Sequence, residues 1–294
     1  MRILVAGASG QVGRELCRQG LANGFQIIAP ERVNFDISDA SGVRQFVADT
    51  APDIVFNAAA WNGVDEAENQ SAQALRVNRD GAANLATACA EHSIPLVHYS
   101  TDYIFDGTKA SAYVEDDAPG PINAYGRSKL AGEDAVRANH DKHLILRTSW
   151  IFSAHRSNFV KTMLKLGAAR TELRVVDDQI GKPTSAAIIA QISLAIATDE
   201  QRAWGTYHLA QPEAVSWHDF AIAIFEAATE RGTTLEVENV VPISSGDFAS
   251  VAKRPENSVL DCHKLEDTFE VVIQDWHDAL HTVIGDLVSD RISA

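Results

Sequence analysis

Five short, mainly apolar segments recur through the first half of the chain and predict buried β-strands. They do not alternate in polarity, which is typical of parallel strands that are covered on both faces. Between them lie longer segments with apolar residues at helical spacing. The predicted strands are 2–7, 25–29, 53–59, 94–100 and 143–149, and the predicted helices are about 11–22, 38–50, 71–92 and 123–139. This alternation predicts right-handed crossovers and an α/β domain built on a doubly wound parallel sheet.

The alternation ends near residue 150, and the second half follows a less regular pattern. Helices are predicted at 158–170, 186–197, 217–232 and 274–289, and a strand leading into a turn at 173–184. Residues 233–262 are mixed and polar, and no repeat or flexible linker separates the two halves. We therefore expect residues 1–150 to form the sheet domain, with 185–210 contributing to it. Residues 151–294 are expected to form mainly a smaller, irregular lobe packed on that domain.

The sequence "GASGQVG" at residues 7–13 follows the first predicted strand directly and opens the first predicted helix. Its glycines, Gly7, Gly10 and Gly13, allow a tight turn and a close approach of the backbone to a pyrophosphate, while the helix start offers unpaired amides. A glycine-rich turn without a ligand is the alternative. The strand–turn–helix context is the one that the dinucleotide motif requires, so the turn predicts a Rossmann-type domain.

The acid that usually follows the second strand of such domains is missing, since Pro30 stands where it would lie. An acid there accepts hydrogen bonds from the ribose 2′-hydroxyl of NADH and repels the 2′-phosphate of NADPH. Arg32 could clamp that phosphate and Glu31 would oppose it, but Arg32 could equally be an ordinary solvated charge. The predicted cofactor is NADPH or NADH, and the choice between them stays open.

The composition excludes several other classes of function. The chain has 294 residues and a formal net charge of −15, which argues against nucleic acid and anionic membrane surfaces as partners. No apolar run approaches the length of a membrane span, and the N-terminal run is too short for a signal peptide. Three separated cysteines fit a reducing compartment, so a cytoplasmic location is expected. The histidines are scattered without metal-binding spacing, and no metal site is predicted.

Tyr125 and Lys129 lie one helical turn apart, just after "GPIN" at the start of a predicted helix. Thr101 and Asp102 follow the fourth predicted strand, at the edge where parallel sheets bind ligands, although alone they could form a turn that satisfies only itself. A phenol beside an ammonium has a lowered pKa and can deliver a proton to a ketone oxygen as hydride reaches the carbon. Thr101 would hydrogen-bond that oxygen. A surface helix turn is the alternative for "YGRSK", but the order of the three elements favours catalysis by Thr101, Tyr125 and Lys129.

These elements together resemble the extended short-chain dehydrogenases, and within them the dTDP-4-dehydrorhamnose reductase family. The resemblance runs through most of the chain and is most selective in its later blocks. It implies an oxidoreductase that uses NADPH or NADH to reduce the 4-keto group of a nucleotide-linked 6-deoxyhexose, above all dTDP-4-dehydro-L-rhamnose. The matching blocks are "GASGQVGREL", "NAAAWNGVDEAE", "VHYSTDYIFDGT", "PINAYGRSKLAGE", "LRTSWIF", "NFVKTMLKL", "DQIGKPT", "YHLA" and "RPENSVLD".

The resemblance also implies a role for each residue of the site, with the 151–294 lobe binding the substrate. Thr101, Asp102 and Trp150 would contact the sugar nucleotide, and Arg254 its phosphates. Trp150 could instead be a core aromatic residue. The implied cofactor contacts are Gly7, Gly10, Gln11, Val12, Gly13, Arg32, Asp36, Ile37, Ala60, Trp61, Asn62, Tyr99, Tyr125 and Lys129.

The chain departs from the family pattern in ways that limit what the resemblance implies. Asn62 stands in a block where the family often has a small hydroxyl residue. Some members dimerise through magnesium held by glutamates; Glu15 matches one such position, but residues 184–191 offer no carboxylate for the next. No such metal is therefore predicted, and a homodimer is an expectation of the resemblance alone. Two alternatives stay open: a reductase of another nucleotide-linked 4-keto sugar, and a non-catalytic regulatory subunit like that of methionine adenosyltransferase.

Overall fold

A six-stranded parallel sheet lies at the centre of the protein, as seen in a computed structural model that describes residues 1–199 and 203–292. In chain order the strands are β1 (Arg2–Ala6), β2 (Gln26–Ile28), β3 (Ile54–Asn57), β4 (Leu96–Thr101), β5 (His143–Thr148), β6 (Ile151–Phe152), β7 (Glu172–Val176), β8 (Ile180–Gly181), β9 (Thr184–Ser185), β10 (Gly205–His208), β11 (Val215–Ser216) and β12 (Asn239–Ile243). The central sheet has the order β10-β5-β4-β3-β1-β2. The order reverses between β1 and β3, and ligands of such sheets bind at this reversal, beyond the carboxyl ends of the strands.

Helices cover both faces of this sheet. They are α1 (Gln11–Ala22), α2 (Ala40–Thr50), α3 (Val64–Asn69), α4 (Ser71–Leu75), α5 (Gly81–Glu91), α6 (Ala124–Asn139), α7 (Phe159–Gly167), α8 (Ala186–Thr198), α9 (Trp217–Glu230), α10 (His263–Phe269) and α11 (Trp276–Ile292). Helices α1 and α8 pack together on one face, and α2, α5 and α6 pack on the other. None of the helices within the described residues is long and apolar enough to cross a bilayer.

The apolar strand segments divide their side chains between two buried layers. On β1, Ile3 and Val5 point into the layer that contains α1 and α8, whereas Leu4 and Ala6 point into the layer that contains α2 and α5. All four side chains are fully buried. A strand buried on both faces needs apolar residues at every position, which is why the sequence shows no alternation. The predicted doubly wound α/β sheet is confirmed.

The second half of the chain builds a smaller lobe with a core of its own. Strands β7 and β12 pair in parallel, from Asn239 beside Glu172 to Ile243 beside Val176. Helices α7 and α9 pack against this pair, and α11 packs on α9, around a cluster of large side chains. The cluster includes Phe152, Val160, Leu164, Phe220, Ile224 and Trp276. Strand β10 and helix α8, in contrast, join the central sheet and its outer layer.

Some predicted elements differ from those observed. The single helix predicted at 71–92 is α4 and α5 joined by a π-helical segment at Arg76–Asp80. The predicted strand at 173–184 is three short strands, and the polar segment 233–262 contains β12. The division of the chain at residue 150 stays a prediction. Residues 200–202, inside the predicted 185–210 contribution, and 293–294, at the end of the predicted lobe, lie outside the described residues.

A buried ion pair fastens α6 to the central sheet. Glu133 on α6 is 0% exposed, and Arg147 on β5 donates to both its carboxylate oxygens, at 3.0 and 2.9 Å. Arg137 donates to the same carboxylate at 2.6 Å from a partly exposed position. Burial raises the pKa of Glu133, but the bonds and charge of Arg147, with Arg137, bring it below its ordinary value. The pair therefore stabilises the fold above the unfolded pKa of Glu133, and this stability is lost as the pH falls through the lowered pKa.

Replacing Arg147 should be far more costly than replacing Arg137. Arg147→Met leaves the Glu133 carboxylate buried without its two-point partner, and such a loss costs about 3–5 kcal/mol. Arg137→Met removes a partly exposed partner and should cost about 1 kcal/mol or less. Urea unfolding of the two variants at neutral pH measures the free energies of unfolding. Equal costs for the two variants would contradict this assignment of the ion pair.

Candidate active site

The glycine turn holds α1 close to the sheet. Gly7 has φ +78°, in the region that favours glycine, and a Cβ there would lie 2.5 Å from the backbone nitrogen of Ala59. A Cβ on Gly13 would lie 2.2 Å from the carbonyl oxygen of Gly7. Gly10 precedes α1, and no side chain caps the helix start. The first amides of α1 are therefore available to an anionic ligand.

Gln11 and Val12 offer a ligand mainly their backbone amides. The Oε1 atom of Gln11 accepts hydrogen bonds from Ser153 Oγ and Asn158 Nδ2, both at 2.8 Å. The Val12 side chain is buried in the core between the sheet and α8. Both residues lie in the first turn of α1, where the predicted phosphate contacts would be made.

Three hydrogen bonds fix the start of α6, and its first turn packs on the segment that follows β4. Asn123 caps the helix by accepting from Gly126 N at 2.7 Å, and its Nδ2 donates to the carbonyl of Lys253 at 2.9 Å. The amide of Ala124 donates to Glu68 Oε1 at 2.7 Å. A Cβ on Gly126 would lie 2.1 Å from the carbonyl oxygen of Tyr103, so the helix rests directly on this segment.

This packing brings Tyr125 to Thr101. The phenol lies close enough to the Thr101 hydroxyl to interact with it. Burial raises the pKa of Tyr125 to about 12, the interaction with Thr101 lowers it, and the charge of Asp102 raises it further. The protein by itself thus keeps Tyr125 as a neutral phenol. This differs from the predicted lowering by Lys129, because desolvation of the phenolate is the larger effect.

Lys129 is buried one turn after Tyr125 and is anchored to the sheet. Its Nζ donates to the carbonyl oxygen of Tyr99 at 2.6 Å. Burial lowers the pKa of Lys129 to about 8, against the raising effect of the Glu133 charge. The side chain of Tyr99 points away into the core beside α8, where burial raises its pKa, so only its carbonyl reaches the cluster.

Asp102 lies behind Thr101 and is almost completely enclosed. It is 3% exposed, and its Oδ1 accepts from Thr101 Oγ1 at 3.0 Å. Burial raises the pKa of Asp102 to about 7, although the hydroxyls of Ser258 and Thr101 lower it. The predicted contact of Asp102 with a sugar nucleotide stays a prediction. Its carboxyl group interacts with Thr101, which itself interacts with Tyr125.

Asp36, predicted to border an adenine, lies in a turn with two arginines nearby. It accepts hydrogen bonds from the backbone and side chain of Ser38, at 2.9 and 2.8 Å. The backbone bond from Ser38 is the main reason why the pKa of Asp36 is lowered, and the charges of Arg32 and Arg76 add to this effect. Arg32 is exposed, whereas Ile37 is buried. This end of the predicted cofactor site carries local positive charge on an acidic protein.

The block that contains Ala60, Trp61 and Asn62 is held by a residue that the sequence analysis did not select. Asn78 is buried, accepts from Trp61 N at 2.8 Å and donates to Trp61 O at 3.1 Å and to Ser128 Oγ at 2.8 Å. It lies in the π-helical segment, and such segments are frequent at functional sites. Trp61 and Tyr125 pack against the same small cluster of alanines.

Trp150 is built into the junction of the smaller lobe. Its backbone φ is +43°, an uncommon value for a large residue. Its ring stacks on Trp217 with centroids 3.4 Å apart, and a Cβ on Gly181 would lie 2.4 Å from it. The ring therefore packs against the lobe core and is only partly buried. Both sequence-based interpretations, sugar contact and core aromatic residue, are compatible with this position.

Arg254 is connected to Tyr125 through the ring of Tyr103. Its guanidinium pairs with Asp65, at 2.9 Å from Nη2 to Oδ2, and lies near the Tyr103 hydroxyl. The rings of Tyr103 and Tyr125 meet edge to face, with centroids 6.1 Å apart. A cavity of about 630 Å³ is lined by Arg254, Phe248 and Gln179, among others. The structure thus connects Arg254 to the Tyr125 cluster, although 129 residues separate them in sequence.

Two groups with possible metal-binding geometry occur in the described part of the chain. They are Asp177, His218 and Asp219, and Glu213, Asp275 and His277, each with ligand atoms within 4.8 Å of one another. Each group joins separate segments of the chain, so sequence spacing gave no sign of it. The prediction of no metal site stays a prediction.

The comparisons with known proteins agree with one another. A family model described as RmlD substrate binding domain matches residues 1–289. The chain is 42% identical to a dTDP-4-dehydrorhamnose reductase of Burkholderia thailandensis, over 98% of this chain and 100% of that protein. Among solved structures, a dTDP-4-dehydrorhamnose reductase of Clostridium acetobutylicum matches with a TM-score of 0.92 and 37% identity, covering 98% of this chain and 100% of that one. One from Bacillus anthracis in complex with NADP matches with a TM-score of 0.90 and 36% identity, covering 97% and 99%.

The ionisation of Tyr125 can be measured directly in the protein alone. Because burial holds its pKa near 12, we expect no phenolate absorbance from Tyr125 below about pH 10. The measurement is an ultraviolet pH titration of the unmodified protein minus that of Tyr125→Phe. A phenolate signal near neutral pH that disappears in the variant would contradict the raised pKa and restore the simpler expectation from Lys129.

Proposed function

This chain belongs to the dTDP-4-dehydrorhamnose reductase family, and from this premise we propose that it reduces the 4-keto group of a nucleotide-linked 6-deoxyhexose, dTDP-4-dehydro-L-rhamnose giving dTDP-L-rhamnose, with NADPH or NADH. The observation that carries the proposal is the grouping of Thr101, Tyr125 and Lys129 at the carboxyl end of β4, where Thr101 and Lys129 are buried and Tyr125 is partly buried. A neutral phenol is the form that a reduction needs, because the reaction consumes a proton at the substrate oxygen.

The residues of the glycine turn fit a dinucleotide. The uncapped start of α1 offers backbone amides to a pyrophosphate, and side chains on Gly7 or Gly13 would collide with neighbouring backbone. We propose that Gly10, Gln11 and Val12 hold the phosphates and that Ala60, Trp61 and Asn62 line the remainder. When bound, a reduced nicotinamide supplies the hydride.

The roles of this chain's own residues follow from their chemistry. As negative charge develops on the carbonyl oxygen, Tyr125 donates its proton there and Thr101 supplies a second hydrogen bond. Lys129, held by the Tyr99 carbonyl, lies one helical turn from Tyr125, and in its charged form it would favour the loss of the phenol proton. Arg254 and Trp150 are proposed to hold the phosphates and the sugar.

Two alternatives, a non-catalytic regulatory subunit and a reductase of another sugar, have less support than the proposed reductase. A non-catalytic regulatory subunit would not need the enclosed phenol, and the relatives compared above are named as reductases. A different nucleotide-linked 4-keto sugar would be distinguished only by the lining of the pocket, so a panel of such sugars tests the substrate. The homodimer remains a proposal that comes from the resemblance, and the cytoplasmic location remains one that comes from the three separated cysteines.

Tyr125→Phe should abolish most turnover while leaving the cofactor bound. The variant keeps the ring and its packing but removes the proton donor, and one positioned donor typically contributes about 10²–10⁴-fold to the rate. The measurement is the loss of reduced-nicotinamide absorbance on addition of the keto sugar, with cofactor binding followed by fluorescence. Tyr113→Phe, at a tyrosine that bonds Asp106, is the matched control. Near-normal turnover of Tyr125→Phe would refute the assignment.

Arg32→Ala should weaken the binding of NADPH more than the binding of NADH. If Arg32 meets the 2′-phosphate, its removal raises the KM for NADPH roughly tenfold, since a charge-assisted hydrogen bond contributes about 1.5–3 kcal/mol. The KM for NADH should change little. Arg44→Ala, at an exposed arginine that bonds Glu91, is the control. Equal changes for both cofactors would identify Arg32 as an ordinary surface charge.

A further inference from the structure

The carboxyl group of Asp102, which follows the end of β4, is buried, whereas aspartate side chains are usually exposed. It is 3% exposed, so the charged form has lost most of its water. Its Oδ1 accepts from Thr101 Oγ1, while its Oδ2 is buried and has no hydrogen bond of ordinary geometry, with the Ser258 hydroxyl nearby. A buried carboxyl with an unpaired oxygen is poorly suited to stay permanently ionised.

The same carboxyl stands at the end of a row of three neighbouring groups. The Tyr125 phenol lies beside the Thr101 hydroxyl, and that hydroxyl donates to Asp102 Oδ1 at 3.0 Å. A hydroxyl can donate and accept at the same time, so Thr101 can pass a proton from one neighbour to the other. The amide of Tyr103 also donates to Thr101 Oγ1, at 3.2 Å, and fixes its position between the two groups.

We propose that Asp102 supplies the proton that restores Tyr125 after each reduction, acting through Thr101; this inference rests on the proposed function. When Tyr125 has given its proton to the substrate oxygen, the phenolate takes the Thr101 hydroxyl proton. Thr101 takes the proton of the Asp102 carboxyl in the same motion. The net change is a neutral Tyr125 and an ionised Asp102, which takes a proton from solvent once the product leaves.

The surroundings of Asp102 suit this cycle. Burial raises its pKa to about 7, so it is both protonated and ionised near neutral pH. The titratable groups that face it are Tyr125 on α6 and Tyr103 on its own turn, and the charge of Asp102 raises the pKa of each. Arg254 lies one group further away, near the Tyr103 hydroxyl. Asp102 is therefore a positioning residue for Tyr125, and it does not itself touch the reacting atoms.

A comparison of the first turnover with later turnovers tests the proposal. The first reduction uses the proton already on Tyr125, so Asp102→Asn should slow the single-turnover rate of cofactor oxidation far less than it slows steady-state turnover. Steady-state turnover, which needs Tyr125 to be restored, should fall about tenfold or more. Asp134→Asn, at an exposed carboxylate on α6, is the control and should change neither rate.

The pH dependence gives a second and independent readout. Steady-state turnover of the unmodified protein should fall as the pH rises through about 7, where Asp102 loses its proton, while the single-turnover rate stays flat. This decline should be absent in Asp102→Asn. Ser258→Ala removes a hydroxyl that favours the charged carboxyl, so the decline should move to higher pH.

Several results would overturn the proposal. They are a parallel loss of single-turnover and steady-state rates in Asp102→Asn, unchanged rates in that variant, or a pH decline that neither substitution moves. If Asp102→Asn does not fold, Ser258→Ala still decides, because its effect on the pH decline requires the carboxyl. An unmodified protein that oxidises no cofactor with any keto sugar would refute the proposed function itself, and this inference with it.

Discussion

The arrangement of the site depends on one constraint: α6 must be buried against β4 and β5 although it carries polar and charged side chains on its inner face. Lys129 is accommodated by the carbonyl of Tyr99, and Glu133 by the guanidinium of Arg147. Each partner comes from a strand of the central sheet. Because these bonds have strict geometry, they fix the rotation of α6 and thereby aim Tyr125 at the end of β4.

Burial also sets the ionisation states of Tyr125, Asp102 and Lys129. Burial raises the pKa of Tyr125 and of Asp102 and lowers that of Lys129, so all three groups move toward their neutral forms. A reduction that must deliver a proton is served by neutral donors, whereas a phenolate formed in advance would serve the opposite direction. The protein alone therefore keeps Tyr125 in the protonated form that the reduction consumes, and a cationic nicotinamide, formed only after hydride transfer, would favour its ionised form.

Much of the fold, and the pairing of Tyr125 with Lys129, could be predicted from the sequence. The continuous apolar strands and the glycine turn specify local structure directly, and Tyr125 and Lys129 lie on one helix, so their relation follows from helical spacing. The sign of the Tyr125 pKa could not be predicted, because it depends on how completely other segments enclose the phenol. The contacts of Asn78 with Trp61, and of Arg254 with Asp65 and Tyr103, join distant segments. For the contact between Asn78 and Trp61, the one signal in the sequence was an asparagine within the predicted helix 71–92.

The side chain of Gln11 links the glycine turn to the smaller lobe. It belongs to the glycine turn, yet its Oε1 is held by Ser153 and by Asn158, the residue that caps α7 of the smaller lobe. Any ligand that shifts the first turn of α1 must therefore perturb the cap of α7, and the reverse holds equally. Such reciprocity is a thermodynamic linkage. A ligand held at the glycine turn and a ligand held by the smaller lobe would then change each other's affinity by the same factor.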